Sequence, residues 1–433
     1  MPSLRKPGRL LWLIGLFMSG AVQAEEHFII GVGAHLLNTN KPSTTAIQLI
    51  SNAGIQSVRD DAYWSTAEPS PGQLQINPFW KAYLANAHAK QLSTLLILGY
   101  GNQFYDNNAK PRTPMVKNAF ANYVDYVTRE IGKQVAFYEI WNEWDLENPT
   151  SAQFSSDYAT LIKDTARQIR AVNPHVKILA GAVSSQGVDE GFADRLVDAG
   201  ILNVVDGLSL HPYVHCRGPS GNTPESWIAW LRQINARLSA KAGKPIALYL
   251  TEMGWPSHDG NCGISEQTQA AYLARSFFLA QTLPSIKGMW WYDLVNDGND
   301  SHEQEHNFGL IKMDLTVKPA YQTLQAISPT LRQYRYDAED SRLDEHLYLL
   351  NFSNGAERVV VAWTTDKPRQ VKIQASSAQQ GFVQLIDTAK PAQGQVSSQT
   401  PWTCIDGQCS ALVELSNFPK IISLGTRNTL STR

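Results

Sequence analysis

Apolar residues in this chain alternate between two patterns. Short, nearly continuous runs such as Thr94-Leu95-Leu96-Ile97-Leu98-Gly99 read as strands buried on both faces, while the longer stretches between them repeat apolar positions three and four apart, as amphipathic helices do. The predicted strands are Phe28 to Gly33, Ser57 to Asp60, Thr94 to Gly99, Ala136 to Trp141, Lys177 to Gly181, Gly207 to His211, Ile246 to Glu252 and Gly288 to Tyr292. The predicted helices lie near 44–53, 78–90, 115–132, 152–172, 187–199, 224–242, 266–281 and 318–327. Eight strand and helix pairs in order predict an α/β fold of the (β/α)8, or TIM barrel, type; a doubly wound open sheet does not need eight. Gly31-Val32-Gly33 lacks the third glycine of a dinucleotide-binding turn and reads as barrel packing.

Past about residue 330 the period shortens. Leu347 to Phe352, Val359 to Trp363, Gln370 to Ile373, Phe382 to Ile386, Ser410 to Leu415 and Lys420 to Leu424 are short strands parted by Gly, Asn, Asp and Pro, which predicts a small all-β sandwich. The expected division is a barrel over 25–330 and a sandwich over 331–433. No aromatic platform stands out in the sandwich, so a covering role against the barrel is favoured over ligand binding.

Residues 1–24 read as a signal peptide: Arg5, Lys6 and Arg9 precede the apolar run Leu10 to Met18, and Val22-Gln23-Ala24 offers a small-residue cleavage site before Glu25. The alternative, an uncleaved anchor, meets an apolar run shorter than the ~20 residues of a span. A periplasmic or secreted product, free of the membrane after cleavage, is expected. Four cysteines suit that oxidising compartment. Cys404 and Cys409 flank a tight turn, and Cys216 and Cys262 each follow a strand end, which suggests the pairs 404/409 and 216/262. Metal binding, the alternative, lacks paired Cys-x-x-Cys spacing and a His in a ligand pattern. With 37 basic and 39 acidic residues the net charge is -2, and no basic run interleaves with aromatics, which argues against a nucleic-acid partner.

The candidate chemistry sits in two segments, Phe137-Tyr138-Glu139-Ile140-Trp141-Asn142-Glu143 and Ile246 to Trp255, each an apolar strand ending in a carboxylate. Barrel enzymes carry catalytic groups at the carboxyl ends of strands, so Glu143 and Glu252, after strands four and seven, are expected to converge on one mouth. Two converging carboxylates are what glycosidic cleavage needs, one to protonate the departing oxygen and one to attack or stabilise the anomeric carbon. Asn142 is placed to hydrogen-bond a sugar hydroxyl beside the scissile bond. The 12 Trp and 16 Tyr matter in this light, because flat rings stack on sugars as well as fill cores. Trp64 after strand two, the loop Asn102-Gln103-Phe104-Tyr105 and the segment Glu305 to Gly309 lie at the predicted mouth, where packing within the loops is the competing role.

Trp141-Asn142-Glu143 together with Thr251-Glu252-Met253-Gly254-Trp255 resembles the clan A retaining glycoside hydrolases, and in order and context family 39, including its relatives that degrade bacterial exopolysaccharide. The resemblance covers about residues 28–327. It implies that Glu143 is the acid/base and Glu252 the nucleophile, and that Arg59 is the basic residue beside the nucleophile; a structural ion pair of Arg59 with Asp60 or Asp61 stays open. His211-Pro212-Tyr213 is similar to the clan's strand-six element, which implies that Tyr213 orients Glu252 and that His211 contacts substrate or the acid/base. Strand alternation sends only one of Trp290 and Trp291 inward, and the resemblance implies a stacking ring, assigned to Trp291. The loop after strand eight departs from the family pattern: Asp297, Asp300, Glu303 and Glu305 make it acidic, which leaves subsite preference and a weak cation site open there.

The expected activity is hydrolysis of O-glycosidic bonds in a polysaccharide or oligosaccharide, a bacterial exopolysaccharide first, by a monomer that needs no cofactor. The alternatives are a plant β-glycan hydrolase (xylosidase, glucanase or mannanase) and a non-catalytic carbohydrate-binding protein using the same cleft. A Ser/His/Asp hydrolase lacks its Gly-x-Ser-x-Gly elbow.

Overall fold

The computed structural model describes residues 27–38, 43–375 and 379–426; the predicted signal peptide and Glu25 lie outside them. Eight parallel strands close on themselves: β1 (Ile29–Gly33), β2 (Ser57–Tyr63), β3 (Ser93–Gly99), β4 (Phe137–Ile140), β5 (Lys177–Ser184), β6 (Gly207–His211), β7 (Leu248–Met253) and β8 (Ile286–Trp291). Closure is made by β8 against β1, from Ile29 opposite Gly288 to Val32 opposite Trp291. Helices between the strands start where side chains can hold free amides. Thr113, Ser151, Thr223 and Ser265 each accept from the amide three residues on, and Pro114 and Pro224 stand at first helical positions.

The barrel interior is filled in layers, and strand alternation decides which residues fill it. Leu95, Ile97, Phe137, Leu179, Tyr249 and Trp290 form the buried lower plug. Two glycines make room for its largest rings: a Cβ on Gly31 would stand 2.3 Å from the Trp290 ring, and one on Gly207 2.4 Å from that of Tyr249. Above the plug the inward positions turn polar: Glu139 on β4 and Thr251 on β7, two residues beyond Phe137 and Tyr249, and Arg59 on β2, two residues beyond Ser57.

The sandwich has two antiparallel sheets built from β9 (Arg335–Leu343), β10 (Leu347–Ser353), β11 (Glu357–Thr364), β12 (Arg369–Gln374), β13 (Phe382–Asp387), β14 (Gln395–Pro401), β15 (Thr403–Ile405), β16 (Gln408–Leu415) and β17 (Lys420–Thr426). Their orders are β14-β13-β17-β11-β10-β9 and β12-β16-β15, around a core that includes Val360, Ile373, Val383, Val413 and Ile422. Three strands escape the sequence reading, β9, β14 and β15. All three lie at sheet edges and are mostly exposed; β9 and β14 carry mostly polar residues and β15 is only three residues long, so they lack the apolar alternation by which strands are recognised. The sandwich leans on the barrel through Phe278 against Phe352, with ring centroids 5.5 Å apart, and Trp363 donates to Glu225 at 2.9 Å. The disulfides join Cys216 to Cys262 and Cys404 to Cys409. The first ties the loop after β6 to the loop after β7. No helix among the described residues is long and apolar enough to cross a membrane.

Candidate active site

Arg59 is the hub of the mouth. Its Nε donates to Glu139 at 2.7 Å, Nη1 to Glu252 at 2.6 Å and Nη2 to Asn142 at 2.8 Å, while Nη2 also faces Nε2 of His211 at 3.3 Å. The side chain is 2 % exposed. Burial opposes its charge, but Glu139, Glu252 and Asp61 together raise its pKa well above the ordinary value, so the guanidinium stays charged. The ion pair with Asp60 or Asp61 left open by the sequence is not what holds it. Asp60 instead accepts from the amides of Leu36 and Leu37 at 2.7 and 3.1 Å, and burial, with Asp61 beside it, pushes its pKa up to about 6.

Beyond β4 the chain turns sharply, with Trp141 at φ 64° and Glu143 at φ 44°, both in the left-handed region that costs a non-glycine residue energy. Packing offsets the strain. The Trp141 ring is buried against Phe120, Tyr100 and Trp144, and Asp145 is anchored by the Ser184 amide and hydroxyl. The turn leaves Asn142 and Glu143 at the cleft, Asn142 on Arg59 and Glu143 with its side chain 22 % exposed. Glu143 Oε1 lies 3.0 Å from Nδ1 of His211.

Glu252 is enclosed. Tyr213 donates its hydroxyl to Oε2 at 2.9 Å, Arg59 donates to Oε1, and His211 Nδ1 lies 3.5 Å from Oε2. Burial alone would raise its pKa, yet the charges of His211 and Arg59 and the bonds from Tyr213 and Arg59 outweigh it and hold the carboxyl at about 2. His211 shows the reverse balance: burial pulls its pKa down, but Glu252 and Glu143 outweigh it and the pKa is raised. Its Nε2 has a partner in either protonation state. Arg59 can only donate, so it serves the neutral ring; Thr251, which gives its own proton to Glu139 at 2.8 Å, offers a lone pair 3.2 Å from Nε2 to the imidazolium.

One carboxylate oxygen of Glu143, one of Glu252 and a ring nitrogen of His211 lie within 4.8 Å of one another. Among the described residues this trio is the group with the donors for a metal ion, and Arg59 already claims one oxygen of Glu252. The acidic residues after β8 form no such group among the described residues.

The cleft has a volume of about 350 Å³, within the range of ligand sites. Arg59, Asn142, Glu143, Tyr213 and Glu252 line it, His211 lies directly behind, and the rest of the wall is His35, Asp61, Tyr100, His215, Tyr292, Gln304, Glu305 and Phe308. Two expectations fail here. Trp64 is fully buried, stacked on Tyr105 and Tyr123 and bonded to Glu68, because a four-residue helix after β2 turns it into the helix layer. Trp291 is fully buried too, against Trp255: the inward phase of β8 belongs to Trp290, which bonds Ser57 in the plug, and two residues on to Tyr292, which reaches the cleft. The loop Asn102 to Tyr105 packs on Glu68 and Trp64, whereas Glu305 and Phe308 do line the wall.

Glu139 is the largest omission of the sequence reading. A charge in the middle of the four-residue strand Phe137-Tyr138-Glu139-Ile140 has to be paired if buried, and that signal would have pointed to Arg59.

No family model matches the sequence. A curated β-xylosidase of Geobacillus stearothermophilus is 24 % identical over 199 residues, 42 % of this chain, which spans about two fifths (39 %) of that relative's length. Among solved structures, a family 39 glycoside hydrolase from the gut symbiont Bacteroides cellulosilyticus superposes with a TM-score of 0.75 at 27 % identity, covering 92 % of this chain and 81 % of that one. A family 39 enzyme from Xanthomonas axonopodis (TM-score 0.63, 14 % identity, 93 % and 94 % covered) and a monomeric β-xylosidase from Caulobacter crescentus (0.60, 17 %, 93 % and 96 %) share the fold.

Proposed function

We propose that this chain, which resembles the family 39 glycoside hydrolases, is a retaining O-glycoside hydrolase. The observation that carries the reading is the 4.8 Å limit on the separation of the two carboxylate oxygens. A retaining pair stands ~5–5.5 Å apart, whereas inversion needs ~6.5–9.5 Å to admit water between sugar and base. In the first step Glu252 attacks the anomeric carbon as the glycosidic bond breaks, and Glu143 gives its proton to the leaving oxygen. In the second, water adds to the same carbon, Glu143 takes its proton, and the bond to Glu252 is released. Arg59 and Tyr213 keep Glu252 ionised and aimed, and Asn142, fixed by Arg59, holds a sugar hydroxyl.

The substrate proposed is a bacterial exopolysaccharide, met by an exported, monomeric enzyme; the signal-like start and two disulfides support export, and the Caulobacter neighbour is a monomer. The two β-xylosidase relatives favour a plant β-glycan as the second reading. Proton NMR of the first product formed tests the mechanism. The reading expects the anomer of the substrate, and the opposite anomer overturns it.

A further inference from the structure

We propose that the cleft accepts an uncharged sugar at the reacting subsite and excludes uronic acids and other anionic rings, which makes the polymer it cleaves a neutral polysaccharide. The proposal rests on the hydrolase reading and deepens it to a substrate class. Its ground is the balance of charge along the wall. Besides Glu143 and Glu252, the cleft is lined by Asp61, 4 % exposed and accepting from the Tyr100 hydroxyl at 3.0 Å, and by Glu305 from the loop after β8. Asp297 and Glu303 lie close enough to act on Glu305.

Against these carboxylates, the described residues lining the cleft offer one permanent cation, Arg59, and its three guanidinium nitrogens are already committed to Glu139, Glu252 and Asn142. An incoming carboxylate would find no free arginine fork among the described residues of the wall. His35 lies among Asp60, Asp61, Asp293 and Asp297, which match any charge it carries, and burial holds the His215 pKa below its ordinary value. Sugar hydroxyls, by contrast, are donors that such a wall can accept. In a partly water-excluded cleft, like charges without a partner are strongly disfavoured. An anionic ring is therefore expected to lose on the order of 100-fold or more in kcat/KM against its neutral counterpart.

The test uses activated aryl glycosides in pairs that differ only at C6, hydroxymethyl against carboxylate, in the gluco, galacto and manno configurations, with the full protein near neutral pH. The neutral member of whichever configuration is turned over should win by that factor. Glu305→Gln, a change on a partly exposed loop, should narrow the gap roughly tenfold by removing one opposing charge. A uronide cleaved as well as its neutral partner, or a gap that Glu305→Gln leaves unchanged, overturns the proposal. Calorimetric binding of a neutral iminosugar and its C6-carboxylate analogue needs no turnover and separates the two claims. Tighter binding of the carboxylate form sinks the charge argument alone, whereas preference for the neutral form with no glycoside cleaved sinks the hydrolase reading alone.

Discussion

The ends of β4 and β7 each present a glutamate to the same cleft, in opposite surroundings. At β7, Glu252 is buried and accepts from Arg59 and Tyr213 with His211 at its edge; at β4, Glu143 sits on a strained turn, 22 % exposed, with His211 as its neighbour. One site is built to hold negative charge through many fixed donors. The other keeps a path to water along which a proton can be exchanged. Two carboxylates whose surroundings part in this way are suited to different halves of one reaction.

The largest expected effects break the pair apart. Glu252→Ala should lose on the order of 10⁵-fold in kcat on every substrate and recover with azide, giving a glycosyl azide of inverted configuration. Glu143→Ala should lose roughly 10²–10⁴-fold on glycosides with poor leaving groups and far less on dinitrophenyl glycosides, which depart without a proton. Kinetics on a leaving-group series reads both; equal losses on activated substrates would erase the contrast.

A smaller effect sharpens it through stability. Glu252 is held at about 2, below its ordinary 4.5, so its contribution to stability is fully present above pH 4.5 and is lost as pH falls through about 2. Glu252→Gln removes that group, and the slope of unfolding free energy against pH between about 4.5 and 2 should become shallower than in the wild type. Denaturant titrations at stepped pH measure it, and identical slopes would mean that the donors around Glu252 do not act as described.

What the sequence revealed follows the same divide between strand ends and loops. Asn142, Glu143 and Glu252 were legible because apolar strands ending in polar residues are the barrel's own grammar, and His211 and Tyr213 because they too stand at or just beyond a strand end, whereas Arg59 lies within β2, which runs on to Tyr63 past the end at Asp60 that the sequence predicts. The phase of β8 was not. Alternation says that one of Trp290 and Trp291 faces in, but the choice depends on Gly31 leaving space for the Trp290 ring, a contact between elements far apart in the chain. Trp64 misled for a related reason: its loop lies at the mouth, yet a single turn of helix points the ring away. His35 and Tyr100 carry no mark in the sequence, and Asp61 only that of a candidate partner for Arg59, because nothing local marks a side chain that meets its partners only after the barrel closes. The edge strands β9 and β14 were missed because solvent, not packing, selects their residues.

The most direct measurement is to trap the intermediate with a 2-deoxy-2-fluoro glycoside that has an activated leaving group, then to locate the label by mass spectrometry of proteolytic peptides. The account predicts one sugar per chain, ester-linked to Glu252. A label on Glu143 or any other residue would contradict it.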